Sequence, residues 1–145
     1  MILYLDTSAL IKLYVTEPGS DETESLRAQA DLVATVMITY AEAAAAFARR
    51  IREQPVMVAS LSLARDEFFA DWPLYLSIPI DQRLLHQAAR LADAFALRGY
   101  DSVQLAAAHI LQLQGVPRIV FASFDERLAT AASLIGLDSP FMKSR

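Results

Sequence analysis

Four acidic residues of the 145-residue chain stand where a predicted strand ends or a predicted helix begins: Asp6, Glu42, Asp101 and Asp125. In an open parallel sheet, ligands bind beyond the carboxyl ends of the strands, so these carboxylates are placed to converge on one edge. Two unpaired carboxylates about 4 Å apart repel each other by roughly 4 kcal/mol at an effective dielectric constant of about 20. Such a group must take up protons, pair with arginine or lysine, or bind a cation. Since the chain has no cysteine, an all-oxygen site would suit Mg²⁺ or Mn²⁺.

Each of these acids also has a purely structural explanation at the start of a helix. Asp6 could be an N-cap, and Glu42 completes a capping box with Thr39. Asp101 could cap its own helix, and Asp125 lies in a first turn, where the helix dipole favours acids. The position of Asp6 favours function, because an acid directly after a buried strand is a common place for catalytic residues. For the other three, taken singly, both explanations stay open.

The pattern of apolar residues predicts the elements that position these acids, in the order β-α-α-β-α-α-β-α-α-β-α. The predicted strands are Ile2–Leu5, Leu32–Ile38, Leu74–Ile80 and Ile119–Ala122, with a further one near Phe141–Met142. Predicted helix starts are Thr7, Ser20, Thr39, Met57, Asp81, Asp101 and Ser123, and Gly99 is the predicted end of the helix from Asp81. Uncharged strands alternating with helices predict a single α/β domain over residues 1–145. Its parallel sheet has four or five strands and is covered by helices on both faces.

Composition and charge exclude several classes of protein. The net charge is −4 and the isoelectric point is about 5.1, so the chain is not a broadly basic nucleic-acid binder. No apolar run is long enough to predict a membrane span. The start of the chain lacks the basic segment of a signal peptide, and the absence of cysteine fits a reducing compartment, so we expect a cytoplasmic protein.

Four segments resemble, in order, the motifs of PIN-domain ribonucleases, above all the VapC-type toxins of toxin–antitoxin pairs. They are Ile2–Tyr14, Thr39–Glu42, Leu97–Ala108 and Phe121–Leu128. The resemblance extends over almost the whole chain, from Ile2 to Gly136. It implies a parallel sheet of four or five strands between helices, which agrees with the fold predicted from the apolar pattern.

The resemblance also implies roles for individual residues. An acidic triad, Asp6, Glu42 and Asp101, would hold the metal, with Asp125 as a more variable fourth acid. The hydroxyls of Ser8 and Ser123 would orient the carboxylates or the waters of the metal. Phe124 departs from the family pattern, in which a small residue is frequent, so a direct contact of Asp125 with the metal stays open. The implied reaction is metal-assisted hydrolysis of RNA, by Mg²⁺ or Mn²⁺, leaving a 5′-phosphate and a 3′-hydroxyl.

RNA must still approach an acidic protein, and basic residues near the acids could provide a local path for its phosphates. These residues are Arg49, Arg50 and Arg52, on the helix that follows Glu42, and Arg98, just before Asp101. The alternative for the first three is a solvated helix face paired with Glu53.

The resemblance implies two protein partners, a second copy of the chain in a homodimer and a cognate antitoxin bound in a hydrophobic groove. Several apolar residues could line that groove or belong to the core: Leu10, Leu13, Tyr14, Phe47, Phe68, Phe69 and Trp72.

Two other functions stay open. One is a catalytically inactive PIN-like binding or scaffold module. The other is a phosphotransfer domain, but this would need a second acid just after the first strand, where Asp6 is followed by Thr7 and Ser8.

Overall fold

A computed structural model of the chain describes residues 1–141 and contains a sheet of four parallel strands. The strands are β1 (Ile2–Leu5), β2 (Leu32–Val36), β3 (Leu76–Ile78) and β4 (Ile119–Ala122). Their order in the sheet is β3-β2-β1-β4, with β1 paired to both β2 and β4. The chain therefore runs outward from β1 through β2 to β3, and then returns to the other side of β1. The strand order reverses between β1 and β4, which is the place where open α/β sheets bind ligands.

Within the described residues, the helices alternate with the strands in the predicted order, so the predicted α/β fold with a parallel sheet is confirmed. They are α1 (Thr7–Ile11), α2 (Ser20–Gln29), α3 (Ile38–Glu53), α4 (Val58–Asp71), α5 (Gln82–Phe95), α6 (Gly99–Leu113) and α7 (Glu126–Leu134), with short 3₁₀ turns at Pro55–Met57 and Trp72–Leu74. None of the helices within residues 1–141 is both long and apolar enough to cross a membrane.

Both faces of the sheet are buried, because successive side chains of a strand point to opposite faces. Tyr4 and Phe121 stack with their ring centroids 5.2 Å apart and pack in the layer formed with α5, α6 and α7. Leu3 and Leu5 pack on the other face, in the layer formed with α1, α3 and α4. This explains why the strands are apolar throughout rather than alternating with polar residues.

Three predicted helix starts are wrong by one to three residues because the hydroxyl groups bond elsewhere. Helix α2 follows Gly19, whose φ is 94°, and Ser20 is its first residue instead of its cap. Helix α3 starts before Thr39, whose hydroxyl accepts a hydrogen bond from Thr35. Helix α7 is capped by Asp125 and not by Ser123.

For the helix predicted to run from Asp81 to Gly99, the predicted start is confirmed and the predicted end is wrong. The Asp81 carboxylate accepts a hydrogen bond from the Leu84 amide at 2.8 Å, so the predicted cap of α5 is confirmed. The predicted end at Gly99 is wrong. Helix α5 ends at Phe95, and Ala96 takes the left-handed conformation with φ 53°. Gly99 begins α6, so the predicted start of that helix at Asp101 is wrong by two residues.

The end of the described chain pairs with the sheet earlier than predicted. A single parallel bridge joins Asp138 to Val120, and the Phe121 amide donates to the Asp138 carbonyl at 2.7 Å. Gly136, with φ 89°, turns the chain directly after α7, so the pairing occurs before residue 141. Phe141 lies in a turn, so the strand predicted near Phe141–Met142 is wrong at Phe141, and Met142 lies outside the described residues.

The apolar residues considered for a partner groove divide between the core and its border. Leu10, Phe47 and Phe68 are fully buried. Phe68 is surrounded by aromatic rings, those of Tyr14, Tyr40, Phe47, Phe69 and Trp72. These three buried residues are therefore part of the core, whereas Leu13, Tyr14, Phe69 and Trp72 are only partly buried against it.

Candidate active site

Asp6 lies at the switch point of the sheet and is held there by three hydrogen-bond donors. Its Oδ1 accepts hydrogen bonds from the Ser8 hydroxyl at 2.7 Å and from the Ala9 amide at 2.9 Å. Its Oδ2 accepts one from the Ser123 hydroxyl, just beyond β4, at 2.6 Å. Asp6 therefore caps α1 and also faces the crevice between β1 and β4. A carboxylate offers about four lone-pair positions, so one acceptor position stays open for a cation.

The environment of Asp6 disfavours its ionised form. The residue is 4% exposed, and this burial raises the pKa of Asp6 to about 6. Hydrogen bonds from Ser123, Ser8 and the Ala9 amide act to lower the pKa, and the negative charge of Asp101 raises it again. Asp101 is therefore within electrostatic reach of Asp6. A cation bound between them would offset the cost of both charges.

Glu42 is oriented by hydrogen bonds from two other elements. The Thr7 hydroxyl, in α1, donates to Glu42 Oε1 at 3.0 Å, and the Gln104 amide, in α6, donates to the same oxygen at 3.0 Å. Gln104 is itself oriented, because its Oε1 accepts a hydrogen bond from the Tyr4 hydroxyl at 2.8 Å. The acceptor end of the amide is thereby fixed on Tyr4, and the donor end faces Glu42.

Gln104 is the residue of the site that the sequence did not reveal. Its position fits a capping partner of Asp101, but in the structure it is 3% exposed and reaches α3, where its amide donates to Thr39 at 3.0 Å. The sequence feature that could have indicated its role is the position of this polar amide within the mostly apolar segment Val103–Ile110. A buried amide needs partners, but the sequence does not show which ones.

Asp101 and Asp125 are brought together by an arginine. The Arg98 guanidinium lies 3.3 Å from Asp101 Oδ2 and 3.6 Å from Asp125 Oδ2, and its side chain is 81% exposed. Asp125 also caps α7 through the Leu128 amide at 2.9 Å. The Asp125 amide donates to the Ser123 hydroxyl at 3.1 Å. Ser123 therefore connects Asp125 to Asp6.

The three arginines of α3 have different surroundings. Arg50 pairs with Glu17 at 2.9 Å, and Lys12 pairs with the same carboxylate at 3.0 Å. Partial burial acts to raise the pKa of Glu17, but the two cations hold it below its usual value. Arg49 and Arg52 instead line a groove of about 520 Å³ that also contains Glu42. The expected pairing with Glu53 does not occur among the salt bridges of residues 1–141.

The donors at this edge of the sheet suit a hard cation, although they do not form a closed cage. In the described part of the chain, no three acidic or histidine side chains are gathered into a ready-made metal site. Mg²⁺ usually keeps several waters and contacts only one or two protein carboxylates. Asp6 and Asp101, whose negative charges act on each other, would supply two such oxygen donors.

Comparison with known proteins agrees with this fold and site. Residues 3–134 match the family model for the PIN domain, a range that includes all four acids. Two curated relatives from Mycobacterium tuberculosis, named Ribonuclease VapC45 and Ribonuclease VapC49, are each 33% identical to the chain over 135 residues. The alignment covers 93% of this chain and 92% of each relative. The chain therefore belongs to the PIN-domain family, and within that family it is of the VapC type.

Proposed function

We propose that this protein is an endoribonuclease that depends on Mg²⁺ or Mn²⁺ and acts as the toxin of a toxin–antitoxin pair. The observation that carries the proposal is the buried carboxylate of Asp6, which faces the switch point of the sheet and is coupled to Asp101. Arg98 partly neutralises Asp101, but the charge on buried Asp6 stays unfavourable unless a proton or a cation neutralises it. The printed names of the two relatives support RNA as the substrate.

The metal would be held by Asp6 and Asp101, with Glu42 and Asp125 as further oxygen donors. When bound, a divalent ion lowers the pKa of a water molecule and offsets the charge that develops on the phosphate. The residues around the acids fix where each carboxylate oxygen points. Ser8 and Ser123 do this for Asp6, just as Thr7 and Gln104 do it for Glu42. Partners of this kind reduce the loss of side-chain freedom when an ion or substrate binds.

We assign binding of the RNA phosphate backbone to the side chains of Arg49 and Arg98. The Arg98 side chain is exposed, so it can leave Asp101 and Asp125 and pair with a phosphate, while a cation takes over neutralisation of the two acids. Arg49 lies in the groove beside Glu42. The prediction for Arg50 has less support, because its guanidinium is already paired with Glu17.

The proposal includes an antitoxin, a homodimer and a cytoplasmic location. Apolar surface for protein partners is present at the turn between α3 and α4, where Val56 is 95% exposed and Met57 and Val58 are each 47% exposed. Exposed neighbouring apolar residues favour protein contacts. Light scattering of the purified protein tests the homodimer.

Expression in a bacterial host tests the proposed toxin function. We expect growth arrest and cleaved RNA with 5′-phosphate ends, and we expect Asp6→Asn to abolish both. Protein level is the control, because a variant that merely fails to accumulate would also relieve the arrest. A catalytically inactive binding module is the second candidate. It would leave RNA intact, so absence of cleavage at full expression would favour it and contradict the proposal.

A further inference from the structure

A groove between α3 and α6 leads away from the acids, and its walls differ in chemistry. One wall carries Arg49 and Arg52 of α3, and the other carries Tyr100 of α6. The floor is formed by alanines of α3, among them Ala41 and Ala45, which are exposed. Small side chains at these positions leave a volume of about 520 Å³ open beside Glu42.

The cationic wall is a consequence of helix geometry. Glu42, Arg49 and Arg52 are seven and three residues apart, so they share one face of α3. At a rise of 1.5 Å per residue, Arg52 lies about 15 Å along the helix axis from Glu42. Within residues 1–141, neither Arg49 nor Arg52 has a carboxylate within salt-bridge distance. Both guanidinium groups are therefore available to anions.

Tyr100 differs from the other four tyrosines of the chain. Tyr4, Tyr14, Tyr40 and Tyr75 all pack against other aromatic rings of the chain. Tyr100 is 64% exposed, and its ring stacks on no other aromatic ring among the described residues. Its side chain lines the same groove as Glu42, which places the ring beside one of the four acids.

A second groove adjoins the first. It is lined by Ser8, Lys12, Phe124 and Asp125 and has a volume of about 430 Å³. Arg49 belongs to both grooves. The two grooves therefore adjoin at Arg49, with Tyr100 in the first and Phe124 in the second.

We propose that the groove between α3 and α6 binds single-stranded RNA, with one unpaired base stacked on Tyr100 and neighbouring phosphates paired with Arg49 and Arg52. Aromatic rings beside a cationic groove are the usual means of binding unpaired nucleotides, because every base has a face that can stack. A base in a duplex has no free face for Tyr100, so the groove selects unpaired RNA. The choice of RNA rests on the proposed ribonuclease function, but the binding is measured apart from cleavage.

The test is fluorescence anisotropy with a labelled RNA oligonucleotide, either single-stranded or annealed to its complement. All variants carry Asp6→Asn as well, so that the RNA is not cleaved during the measurement. We expect Tyr100→Ala to weaken single-strand binding about tenfold and Tyr100→Phe to preserve it. Ala45→Trp, which fills the floor of the groove at an exposed position, should also weaken single-strand binding.

Arg52→Ala should lower the slope of log affinity against log salt by about 0.7, while Tyr100→Ala leaves that slope unchanged. Arg83→Ala, on α5 and outside the groove, is the matched control. Thermal unfolding verifies that each variant is folded.

Unchanged affinity in both Tyr100→Ala and Ala45→Trp would overturn the proposal, as would equal weakening by Tyr100→Phe and Tyr100→Ala. Undetectable RNA binding in the parent would overturn it too. A groove that serves a protein partner would give the first of these results. Cleavage by the wild-type chain is scored separately. If RNA is cleaved but the groove variants bind normally, only the groove assignment fails. If RNA is not cleaved but the expected binding pattern holds, only the ribonuclease proposal fails.

Discussion

The Ser123 hydroxyl donates a hydrogen bond to Asp6 Oδ2 at 2.6 Å, across 117 positions of the sequence. This contact joins the residue that follows β4 to the residue that follows β1, at the place where the strand order reverses. It fixes one oxygen of the buried carboxylate and stabilises its ionised form. The Asp6 amide also donates to the Ala122 carbonyl at 3.3 Å, so backbone and side-chain hydrogen bonds together join the switch point to the candidate active site.

Ser123→Ala should reduce activity through the pKa of Asp6. The Ser123 hydrogen bond acts to lower that pKa, which burial has raised to about 6. Its loss should shift the acidic limb of the pH–activity profile to higher pH and lower activity at pH 7 by about tenfold, as for a lost hydrogen bond to a charged group. Ser25→Ala, on the exposed side of α2, is the matched control. An unshifted acidic limb in Ser123→Ala would show that the contact does not tune Asp6.

Asp6→Asn should stabilise the metal-free protein while it abolishes activity. The pKa of Asp6 rises from 3.8 to about 6 on folding, so the native state binds more protons than the unfolded state between these values. Stability of the wild type therefore falls as pH rises through this window. A shift of this size corresponds to at most about 3 kcal/mol at neutral pH.

Urea unfolding in EDTA at several pH values measures this effect. We expect Asp6→Asn to be the more stable protein at pH 8 and to lose its advantage as the pH falls through 6 toward 4. Added Mg²⁺ should stabilise the wild type only, because binding to the native state raises stability. A wild type that is the more stable protein at pH 8 without metal would contradict the burial argument.

Gln104 is expected to act on catalysis through Glu42. Gln104→Leu removes the amide that orients Glu42, and kcat should fall about tenfold or more, as when the partner of a metal ligand is lost, with KM for RNA little changed. Tyr4→Phe should have a smaller effect, because the Gln104 amide stays but is free to rotate. In the Gln104→Leu background, Tyr4→Phe should cost nothing further. Additive losses in kcat would show that Tyr4 does not act through Gln104.

Arg49 and Arg50 are neighbours that should give opposite results. Arg50→Ala breaks the partly buried pair with Glu17 and should lower the free energy of unfolding by about 1 kcal/mol. Arg49→Ala removes a groove residue and should leave stability unchanged while it weakens RNA binding. Unfolding and anisotropy experiments on both variants measure the two effects. Weaker RNA binding by Arg50→Ala at unchanged stability would restore Arg50 as a substrate residue.

Local features of the sequence were sufficient to locate the four strands of the sheet, although β2 ends at Val36 and not at Ile38, and β3 covers only Leu76–Ile78 of the predicted Leu74–Ile80. An apolar run followed by Asp6 marks the end of β1 without any knowledge of the rest of the chain. The contact between Gln104 and Glu42 spans 62 positions and depends on how α6 crosses α3, which no local pattern encodes. The same reason explains why Arg50 pairs with Glu17 and not with nearby Glu53. Hydroxyls such as Thr39 resemble caps in the sequence because their tertiary partners are not visible there.

The predicted acidic triad is supported unequally by the structure. The negative charge of Asp101 raises the pKa of Asp6. Glu42 is linked to Asp6 less directly, because it accepts a hydrogen bond from Thr7, the residue that follows Asp6. A direct metal contact for Glu42 or Asp125 stays a prediction, and so does the single domain over residues 1–145. Substitution of one acid at a time, with metal titration, separates direct ligands from residues that act through water.

The proposed function requires metal-dependent cleavage of RNA at Asp6 and Asp101, which is measured by cleavage of labelled RNA with the purified protein. We expect cleavage with Mg²⁺ or Mn²⁺, none in EDTA, and a loss of about a thousandfold or more, equivalent to roughly 4 kcal/mol of barrier, in both Asp6→Asn and Asp101→Asn. Full activity in EDTA, or undiminished cleavage by the two folded variants, would contradict it.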